Sequence, residues 1–340
     1  MKENKELTNC PICFTEVPKG AFKERYISPY NQQEYKLYEC PICYLHWWEP
    51  LKIIPEFYES EVFEGYTSFH EGIRSRIAQN HRAFFEYFPK EVKGKLLDIG
   101  CGDGVFLREA KGQGFEVWGI DFDKKSIETA KKSLGVDTLY AMSLEEFYNF
   151  AKERGLKFEV ITFFEVLEHQ DRPKEFLEMV KDLLAEGGYI AGSVPNRESI
   201  FHIDFHQKIS SWIDHPPHHF LRFSKEALEN TLKLTGFSDI RVYRLDFPKE
   251  ELPAYVEKKL VGNKIDKLKI WLKGKALGNP RLANAIAVED LDQIKPSFSA
   301  KFLLLLKRFR MLLFLPLSLP YLLKLKGNGI NLYFQGRISK

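Results

Sequence analysis

The sequence of 340 residues is 44% hydrophobic and 29% charged, and 50 Lys and Arg against 47 Asp and Glu leave a formal net charge of +3. A chain of this length and composition can bury a full hydrophobic core. This excludes a disordered protein and favours one large domain with a smaller one beside it. The segment Met1–Leu7 is charged, so we expect no secretory signal. Four of the five cysteines form two Cys-x-x-Cys pairs, which favours thiolate chemistry in a reducing compartment, the cytoplasm.

The two cysteine pairs share one tetrapeptide sequence, Cys10-Pro-Ile-Cys13 and Cys40-Pro-Ile-Cys43, and 26 residues separate them. Two such turns bring four thiolates tetrahedrally around one Zn²⁺, so we expect a zinc ribbon over residues 1–50. All four positions are then filled by protein ligands, which makes the predicted site structural rather than catalytic. The segment has no dense basic cluster, so nucleic acid is not its expected partner.

Residues 51–92 are rich in aromatic side chains and contain an amphipathic pattern over 72–88 that Pro89 closes. The pattern predicts helices that lead into the next domain. Two interpretations remain open for the aromatic residues, because their spacing is typical both of a core-packing segment and of a lid over a ligand site.

A glycine-rich turn organises the following domain. An apolar run over 95–99 is followed by Gly100, Gly102 and Gly104, and the apolar residues then resume at helical spacing, which predicts a strand, a tight turn and a helix. Glycines at such a turn let a ligand approach the helix N-terminus closely. A dinucleotide fingerprint would need a further glycine where Val105 stands.

After the turn, strand and helix patterns alternate, which predicts a parallel sheet with helices on both faces and with ligands at the carboxyl ends of the strands. The second strand ends in Asp121, at about the position where an acidic side chain meets a ribose diol in such folds. We expect this core over 93–245, with a last strand in 330–340. The predicted elements are strand 116–120, helix 123–133, strand 137–141, helix 144–153, strand 158–164, helix 173–184, strand 188–194, strand 239–245 and strand 331–339.

The sequence Asp-Ile-Gly-Cys-Gly-Asp-Gly followed by Trp-Gly-Ile-Asp resembles the first two motifs of class I S-adenosylmethionine-dependent methyltransferases. The resemblance covers about residues 93–245 and implies a Rossmann-like fold. It also implies that Asp98 and the glycine backbone hold the methionine part of the cofactor, that Asp121 holds the ribose, and that Ser143 and Leu144 contact adenine through their backbone. The full expected cofactor set is Asp98, Gly100, Gly102, Asp121, Phe122, Ser143, Leu144 and Phe164.

Glu165, Glu168 and His169 follow the fourth strand, one helical turn apart, so we expect their side chains to converge beside the cofactor. The Glu-x-x-Glu-His sequence is similar to the segment that holds Mg²⁺ in ubiquinone-pathway O-methyltransferases and small-RNA 2′-O-methyltransferases. A later loop, 215–224, offers His218 or His219 as a further ligand. One interpretation is a metal site of Glu165, Glu168, His169 and His219. The other is a metal-free site in which His169 is a base or anchors the acceptor, beside Glu165 and His219.

Residues 246–329 exceed what the minimal fold needs and contain two predicted helices, 253–275 and 298–326. From Pro296 to Lys340 there are eight basic residues and no acidic ones. The longest uncharged run there has 13 residues, too short to span a bilayer, and we expect Pro316 and Pro320 to break the helix. Peripheral contact with the inner face of a membrane and packing as a cap or dimer contact both remain open.

The resemblance leaves three functions open. The leading one is methylation of a sugar, glycan or other small hydroxyl acceptor. The second is a metal-dependent enzyme acting on the 2′-oxygen of RNA or on a catechol. The third is a cofactor-binding scaffold without turnover, whose ribbon docks a partner.

Overall fold

The computed structural model describes residues 6–54, 77–204, 214–261, 272 and 298–338. Most of the predicted lead-in or lid segment lies outside these ranges, together with the second half of the helix predicted over 253–275.

The described chain contains the following strands and helices. The strands are β1 Leu7–Asn9, β2 Glu16–Pro18, β3 Glu24–Ile27, β4 Glu34–Glu39, β5 His46–Glu49, β6 Gly94–Ile99, β7 Phe115–Asp121, β8 Leu139–Ala141, β9 Phe158–Phe164, β10 Leu184–Pro195, β11 Leu221–Arg222, β12 Phe237–Arg244 and β13 Asn331–Ile338. The helices are α1 Gln79–Tyr87, α2 Val105–Gly112, α3 Lys124–Leu134, α4 Leu144–Glu153, α5 Pro173–Leu183, α6 Ile200–His202, α7 Lys225–Leu234, α8 Leu252–Val261 and α9 Phe298–Ser318.

Seven strands form one sheet in the order β12-β13-β10-β9-β6-β7-β8. The pairs from β10 to β8 are parallel, and β13 runs antiparallel to both β10 and β12. Parallel neighbours need crossover connections, which α2, α3, α4 and α5 supply. The predicted α/β fold, a mostly parallel Rossmann-like sheet with helices, is confirmed.

Alternating side chains of the central strands enter different cores. Leu97 and Ile161 belong to one buried cluster, while their neighbours Leu96 and Val160 belong to another. Successive side chains of a strand point to opposite faces, so a strand with buried residues on both faces lies between two covered surfaces. This double burial explains why the strands read as continuous apolar runs in the sequence.

The cysteine-rich segment forms a β1–β2 hairpin and a four-stranded sheet in the order β11-β5-β4-β3. Strand β11 comes from the histidine-rich loop of the large domain, and it pairs Leu221 with Trp47 and Arg222 with His46. Trp47 is fully buried in the same cluster as the core residue Leu97. One strand of the ribbon's sheet and part of its core therefore come from outside residues 1–50.

The helical insertion packs through α8 and α9 around a third cluster that contains Phe201, Phe247 and Tyr255. The expected break at Pro316 does not occur, since α9 continues to Ser318 and a 3₁₀ helix follows over Leu319–Lys324. Pro316 lies in the last turn of α9, where the hydroxyl of Ser318 donates a hydrogen bond to the carbonyl of Phe314 at 2.7 Å. Among the described residues, every helix is too short or too polar to cross a membrane.

Candidate functional site

The carboxyl ends of β6 and β9 lie side by side in the middle of the large sheet. Asp98 pairs with Thr162 and Ile99 pairs with Phe163. The chain proceeds from β6 toward β8 on one side, and β9 then returns to the other side of β6. Ligands of open α/β sheets bind in the crevice at such a reversal, so the glycine turn after β6 and the polar segment after β9 share one candidate site.

The glycine turn after β6 is built for close packing. Gly104 caps α2 with a φ of 77°, in the left-handed region that favours glycine. A Cβ atom there would lie 2.6 Å from Cδ1 of Leu134, so a larger residue would force the turn away from α3. Val105 is buried as the first residue of α2 and is not part of the turn surface. The turn therefore holds its backbone N–H groups close to the edge of the sheet.

Asp121 ends β7 and faces this turn. Its two carboxylate oxygens accept hydrogen bonds from the backbone N–H groups of Gly102 and Asp123, each at 2.9 Å. Burial raises the pKa of Asp121 to about 6, although these N–H groups oppose the shift. A carboxylate oxygen has two acceptor sites, so each oxygen keeps one for a ligand hydroxyl.

Asp98 is the buried acidic residue at the end of β6. It accepts a hydrogen bond from the hydroxyl of Thr162 at 2.7 Å, and burial raises its pKa to about 8. The structure thus places Asp98 and Asp121 at adjacent strand ends, in the positions that the sequence motifs predict.

The other predicted cofactor residues have varied environments. Phe122 is 58% exposed just after β7. The hydroxyl of Ser143 accepts a hydrogen bond from the N–H of Glu146 and so caps α4, whose first residue, Leu144, is half-buried. Phe164 is buried with its ring edge against Phe106 at a centroid distance of 4.7 Å. The side chains of Ser143 and Phe164 therefore have structural partners of their own.

Glu165 begins the polar segment after β9 in a left-handed conformation, with a φ of 55°. This conformation is uncommon for a residue other than glycine and is found at functional sites. Its N–H donates to the carbonyl of Ser193, and the Ser193 hydroxyl donates to its carboxylate at 2.6 Å. The Asn80 amide donates to the same hydroxyl. Burial raises the pKa of Glu165 to about 7.

Three imidazoles meet beside this segment. One ligand nitrogen from each of His169, His218 and His219 lies within 4.8 Å of the others. Nδ1 of His169 donates to the carbonyl of His218 at 2.6 Å, which leaves Nε2 with its lone pair. Burial, together with His219, lowers the pKa of His169 to about 3, so its ring is neutral at pH 7.

Glu168 is the fully buried carboxyl group next to the imidazoles. Its nearer oxygen lies 4.0 Å from Nε2 of His169, and neither oxygen has a hydrogen-bond partner among the described residues. Burial, followed by the charge of Glu165, raises its pKa well above the usual range. An unsatisfied buried carboxyl beside three nitrogen donors fits a divalent cation.

The predicted four-residue metal set stays a prediction, and the structure groups its members differently. The structure brings His169 and His219 together with His218, and this cluster includes neither Glu165 nor Glu168. Glu165 turns instead toward Ser193, because the Ser193 hydroxyl bonds its carboxylate. The sequence did offer His218 as an alternative to His219, and both belong to the observed cluster.

Sequence reasoning missed the buried Asp214. Its carboxylate lies 3.3 Å from Nε2 of His202, 3.3 Å from Nδ1 of His219 and, in an ion pair, 2.8 Å from Nε of Arg222. Burial alone would raise the pKa of Asp214, but Arg222 and the two imidazoles hold it well below its usual range. No periodic pattern marks an isolated acid before a histidine-rich loop, so the sequence carried no signal for this role.

The four ribbon cysteines form a second candidate metal site. Their sulfur atoms all lie within 4.8 Å of one another, with 3.5 Å between Cys10 and Cys43 and 3.3 Å between Cys13 and Cys40. A tetrahedral zinc site with Zn–S bonds of about 2.3 Å places its sulfurs about 3.8 Å apart, so the cluster fits zinc. All four are free thiols, as is Cys101 in the glycine turn.

Comparisons with known proteins agree with this geometry. A family model described as a methyltransferase domain matches residues 69–242, just over half of the chain. The chain is 32% identical over 106 residues to a ubiquinone biosynthesis O-methyltransferase of Proteus mirabilis, an alignment that covers 30% of this chain and 42% of that protein. A protein of the same name from Pasteurella multocida is 37% identical over 126 residues, covering 33% and 52%. The chain thus spans about half the length of these curated relatives.

Solved structures also resemble the chain. A SAM-dependent methyltransferase from Archaeoglobus fulgidus aligns with a TM-score of 0.46 and 18% identity, covering 80% of this chain and 99% of that one. A phosphoethanolamine N-methyltransferase of Haemonchus contortus in complex with S-adenosyl-L-methionine aligns with a TM-score of 0.47 and 15% identity, covering 83% and 58%.

The cysteine geometry predicts that the purified chain carries about one zinc atom, because four converging thiolates form a closed zinc site. Elemental analysis of freshly purified protein measures this directly. Cys40→Ser should remove the zinc, whereas the matched variant Cys101→Ser should retain it. Zinc-free wild-type protein, or a Cys40→Ser variant that keeps its zinc, would contradict the assignment.

Proposed function

From the membership of the chain in the methyltransferase-domain family, we propose that it is an S-adenosylmethionine-dependent methyltransferase that methylates one hydroxyl oxygen of a vicinal diol. A small sugar or glycan is the leading acceptor. The proposal depends on the position of the His169 imidazole, which has Glu168 beside it. His169 follows β9, and β9 pairs with β6, the strand that leads into the glycine turn.

The first part of the argument concerns the cofactor. When bound, S-adenosylmethionine supplies an activated methyl group on a positively charged sulfur. The residues that would hold it are the glycine turn, Asp98 and Asp121. Their fit rests on the remaining acceptor sites of the Asp121 carboxylate and on the backbone of the turn, which α3 holds in place.

The second part concerns the proton of the acceptor hydroxyl. Since Nδ1 of His169 is committed to the His218 carbonyl, Nε2 is the atom that can accept this proton. The low pKa of His169 makes it a weak base, so its main contribution in the metal-free site is to orient the hydroxyl. Glu165 and His219 are the other members of the predicted catalytic set.

A metal-dependent form of the reaction is the second candidate, and the imidazole cluster favours it. His169, His218 and His219, with Glu168 beside them, would hold the ion, which would lower the pKa of an acceptor hydroxyl. Three imidazoles suit Zn²⁺, Mn²⁺ or Fe²⁺ better than Mg²⁺, which prefers oxygen ligands. The relatives named as ubiquinone biosynthesis O-methyltransferases support an oxygen acceptor, and we propose a catechol for this form.

We predict that cofactor affinity depends on the charge of Asp121. Because its pKa is raised to about 6, the carboxylate is ionised at pH 8 and mostly protonated at pH 5, so the affinity for S-adenosylhomocysteine should fall by about tenfold between these pH values. Asp121→Asn should bind at least about tenfold more weakly at pH 8 and lose most of this pH dependence. Calorimetry tests both, with the exposed Asp137→Asn as the matched control. Unchanged affinity in Asp121→Asn would sink the assignment.

We predict methyl transfer to a diol in an assay with radiolabelled S-adenosylmethionine. The probes are methyl α-glucopyranoside, 3,4-dihydroxybenzoate and a short RNA with a free 3′ end. His169→Ala should lower turnover on the accepted probe by about 10²-fold or more, with cofactor affinity nearly unchanged. Loss of activity with EDTA and its return with Mn²⁺ or Zn²⁺ would select the metal-dependent form. Turnover that persists in His169→Ala would contradict the role of His169, and cofactor binding without turnover on any probe would favour the scaffold alternative.

A further inference from the structure

The backbone of one residue in the histidine-rich loop, Phe220, is hydrogen-bonded both to the ribbon and to the polar segment after β9. The N–H of Trp48 in β5 donates to the carbonyl of Phe220, and the N–H of Phe220 donates to the carbonyl of Glu168, each at 2.9 Å. Glu168 precedes His169, and Phe220 follows His219. The backbone that carries both imidazoles is therefore hydrogen-bonded, on one side, to the cysteine-rich sheet.

Arg222 in β11 makes the second connection. Its buried guanidinium donates to the Glu24 carboxylate of β3 at 3.0 Å and to the backbone carbonyl of Asp214 at 2.9 Å. It also lies 2.8 Å from the Asp214 carboxylate, as an ion pair, and 4.9 Å from the ring centre of Trp48. Arginine can bind two carboxylates at once because its donors form a rigid fork, which a lysine lacks. The guanidinium thus links two ribbon strands to the buried acid.

Asp214 in turn orients the imidazole of His219. An ionised carboxylate only accepts hydrogen bonds, so Nδ1 of His219 must carry the hydrogen that faces Asp214. Nε2 of His219 is then left with its lone pair. The orientation and the tautomer of His219 depend on Asp214, and the placement of Asp214 depends on Arg222.

We propose that the cysteine ribbon is a positioning element of the acceptor side of the site, and that Arg222 is the positioning residue that transmits the constraint. The proposal rests on the proposed function only in calling this the acceptor side. Its structural content is that order in 214–222 requires the ribbon, while the cofactor side does not.

The test uses the whole zinc-loaded chain and needs no acceptor. Its result is therefore independent of the result of the activity assay. Hydrogen exchange at the backbone of 214–222 should accelerate by about tenfold or more in Arg222→Met. Arg222→Lys should restore part of the protection, because it keeps the charge without the fork. The affinity for S-adenosylhomocysteine should stay within about twofold in both variants. The matched control is Arg172→Met, because Arg172 is an arginine whose ion pairs lie on the surface.

Two further measurements make the role specific. In ¹⁵N-histidine spectra, His219 should show the Nδ1–H tautomer in the wild type and a mixture in Arg222→Met. Removal of zinc by chelation should reproduce the faster exchange in 214–222 while exchange in β6 stays slow. Unchanged protection and tautomer would overturn the proposal. An equal loss of cofactor binding would overturn it too, since the ribbon would then support the whole domain.

A second observation, on α9, is independent of the site. Of nineteen large apolar side chains exposed in the described chain, ten lie between 302 and 323. Leu305, Phe309 and Leu312 have helical spacing and form one exposed face, and Leu312 is 66% exposed. We define the α9 surface as the exposed residues Phe302, Leu305, Phe309, Leu312, Leu313, Leu315, Leu317, Leu319, Leu322 and Leu323. Contiguous apolar surfaces of this kind mark sites of interaction.

Cationic groups accompany the α9 surface. Lys301, Arg308, Lys324 and Lys326 are all exposed, and the sequence from 296 to 340 contains no acidic residue. Residues such as Leu303 and Ser318 are buried on the opposite stripe, where α9 packs against α8. An apolar face with cationic flanks complements the interface of a bilayer with anionic headgroups. We infer that the α9 surface binds such a bilayer peripherally.

Vesicle sedimentation with the full-length protein tests this inference. Vesicles with about one-third phosphatidylglycerol should bind the chain, and those of phosphatidylcholine alone should bind it at least about fivefold more weakly, with a strong dependence on salt. Leu305→Glu with Leu312→Glu should abolish binding, whereas Leu234→Glu, at an exposed leucine of α7, should not. Absence of binding to either vesicle would overturn the inference. Self-association in sedimentation velocity that the double variant removes would assign the surface to a second copy of the chain instead.

Discussion

The parallel pairing of β6 with β9 is the constraint on which the candidate site depends. Asp98 and Thr162 are 64 residues apart in the chain, yet they are register partners and hydrogen-bond through their side chains. This pairing fixes the glycine turn beside the Glu165–His169 segment. Gly100 adds a direct contact, because a Cβ atom there would lie 2.8 Å from a methyl group of Val166. The two motifs are therefore one packed unit.

Burial gives this unit its electrostatic character. It raises the pKa of Asp98, Asp121 and Glu165 toward or above neutrality. A positive charge that binds nearby stabilises the ionised form of a buried carboxyl group, and this lowers the raised pKa of that group. S-adenosylmethionine carries such a charge on its sulfur, and the demethylated product does not. An ionised carboxylate at this edge of the sheet would attract a positively charged ligand more strongly than a neutral one.

The sequence predicted the elements whose signals are local. The helix over 144–153 and the strand over 158–164 have the predicted bounds, since the first has a capping box of Ser143 and Glu146 and the second is a continuous apolar run. Strand β11 has two residues, too few for any pattern. It exists because β5 offers a free edge, and only the folded chain reveals that.

The prediction of the site also relied on local signals. The spacing of Glu165, Glu168 and His169 indicated a turn after β9, and a 3₁₀ helix is found over Leu167–His169. The left-handed backbone of Glu165 and its bond to Ser193 are tertiary features, so the sequence could not show that this carboxylate accepts a hydrogen bond from Ser193. Arg222 and Asp214 were missed because buried ion pairs look like ordinary loop residues in a sequence.

The position of β13 has a consequence for the order of folding. This strand is inserted between β10 and β12, and it is synthesised after both. Strand β12 cannot join the sheet until β13 has emerged from the ribosome, because its ladder partner in the sheet is β13. A nascent chain can therefore form the part of the sheet from β6 to β10, with the glycine turn and Glu165, before β12 and α7 pack onto it. The edge of β10 is open during this interval, and an open edge is where a chaperone or a second nascent chain can pair.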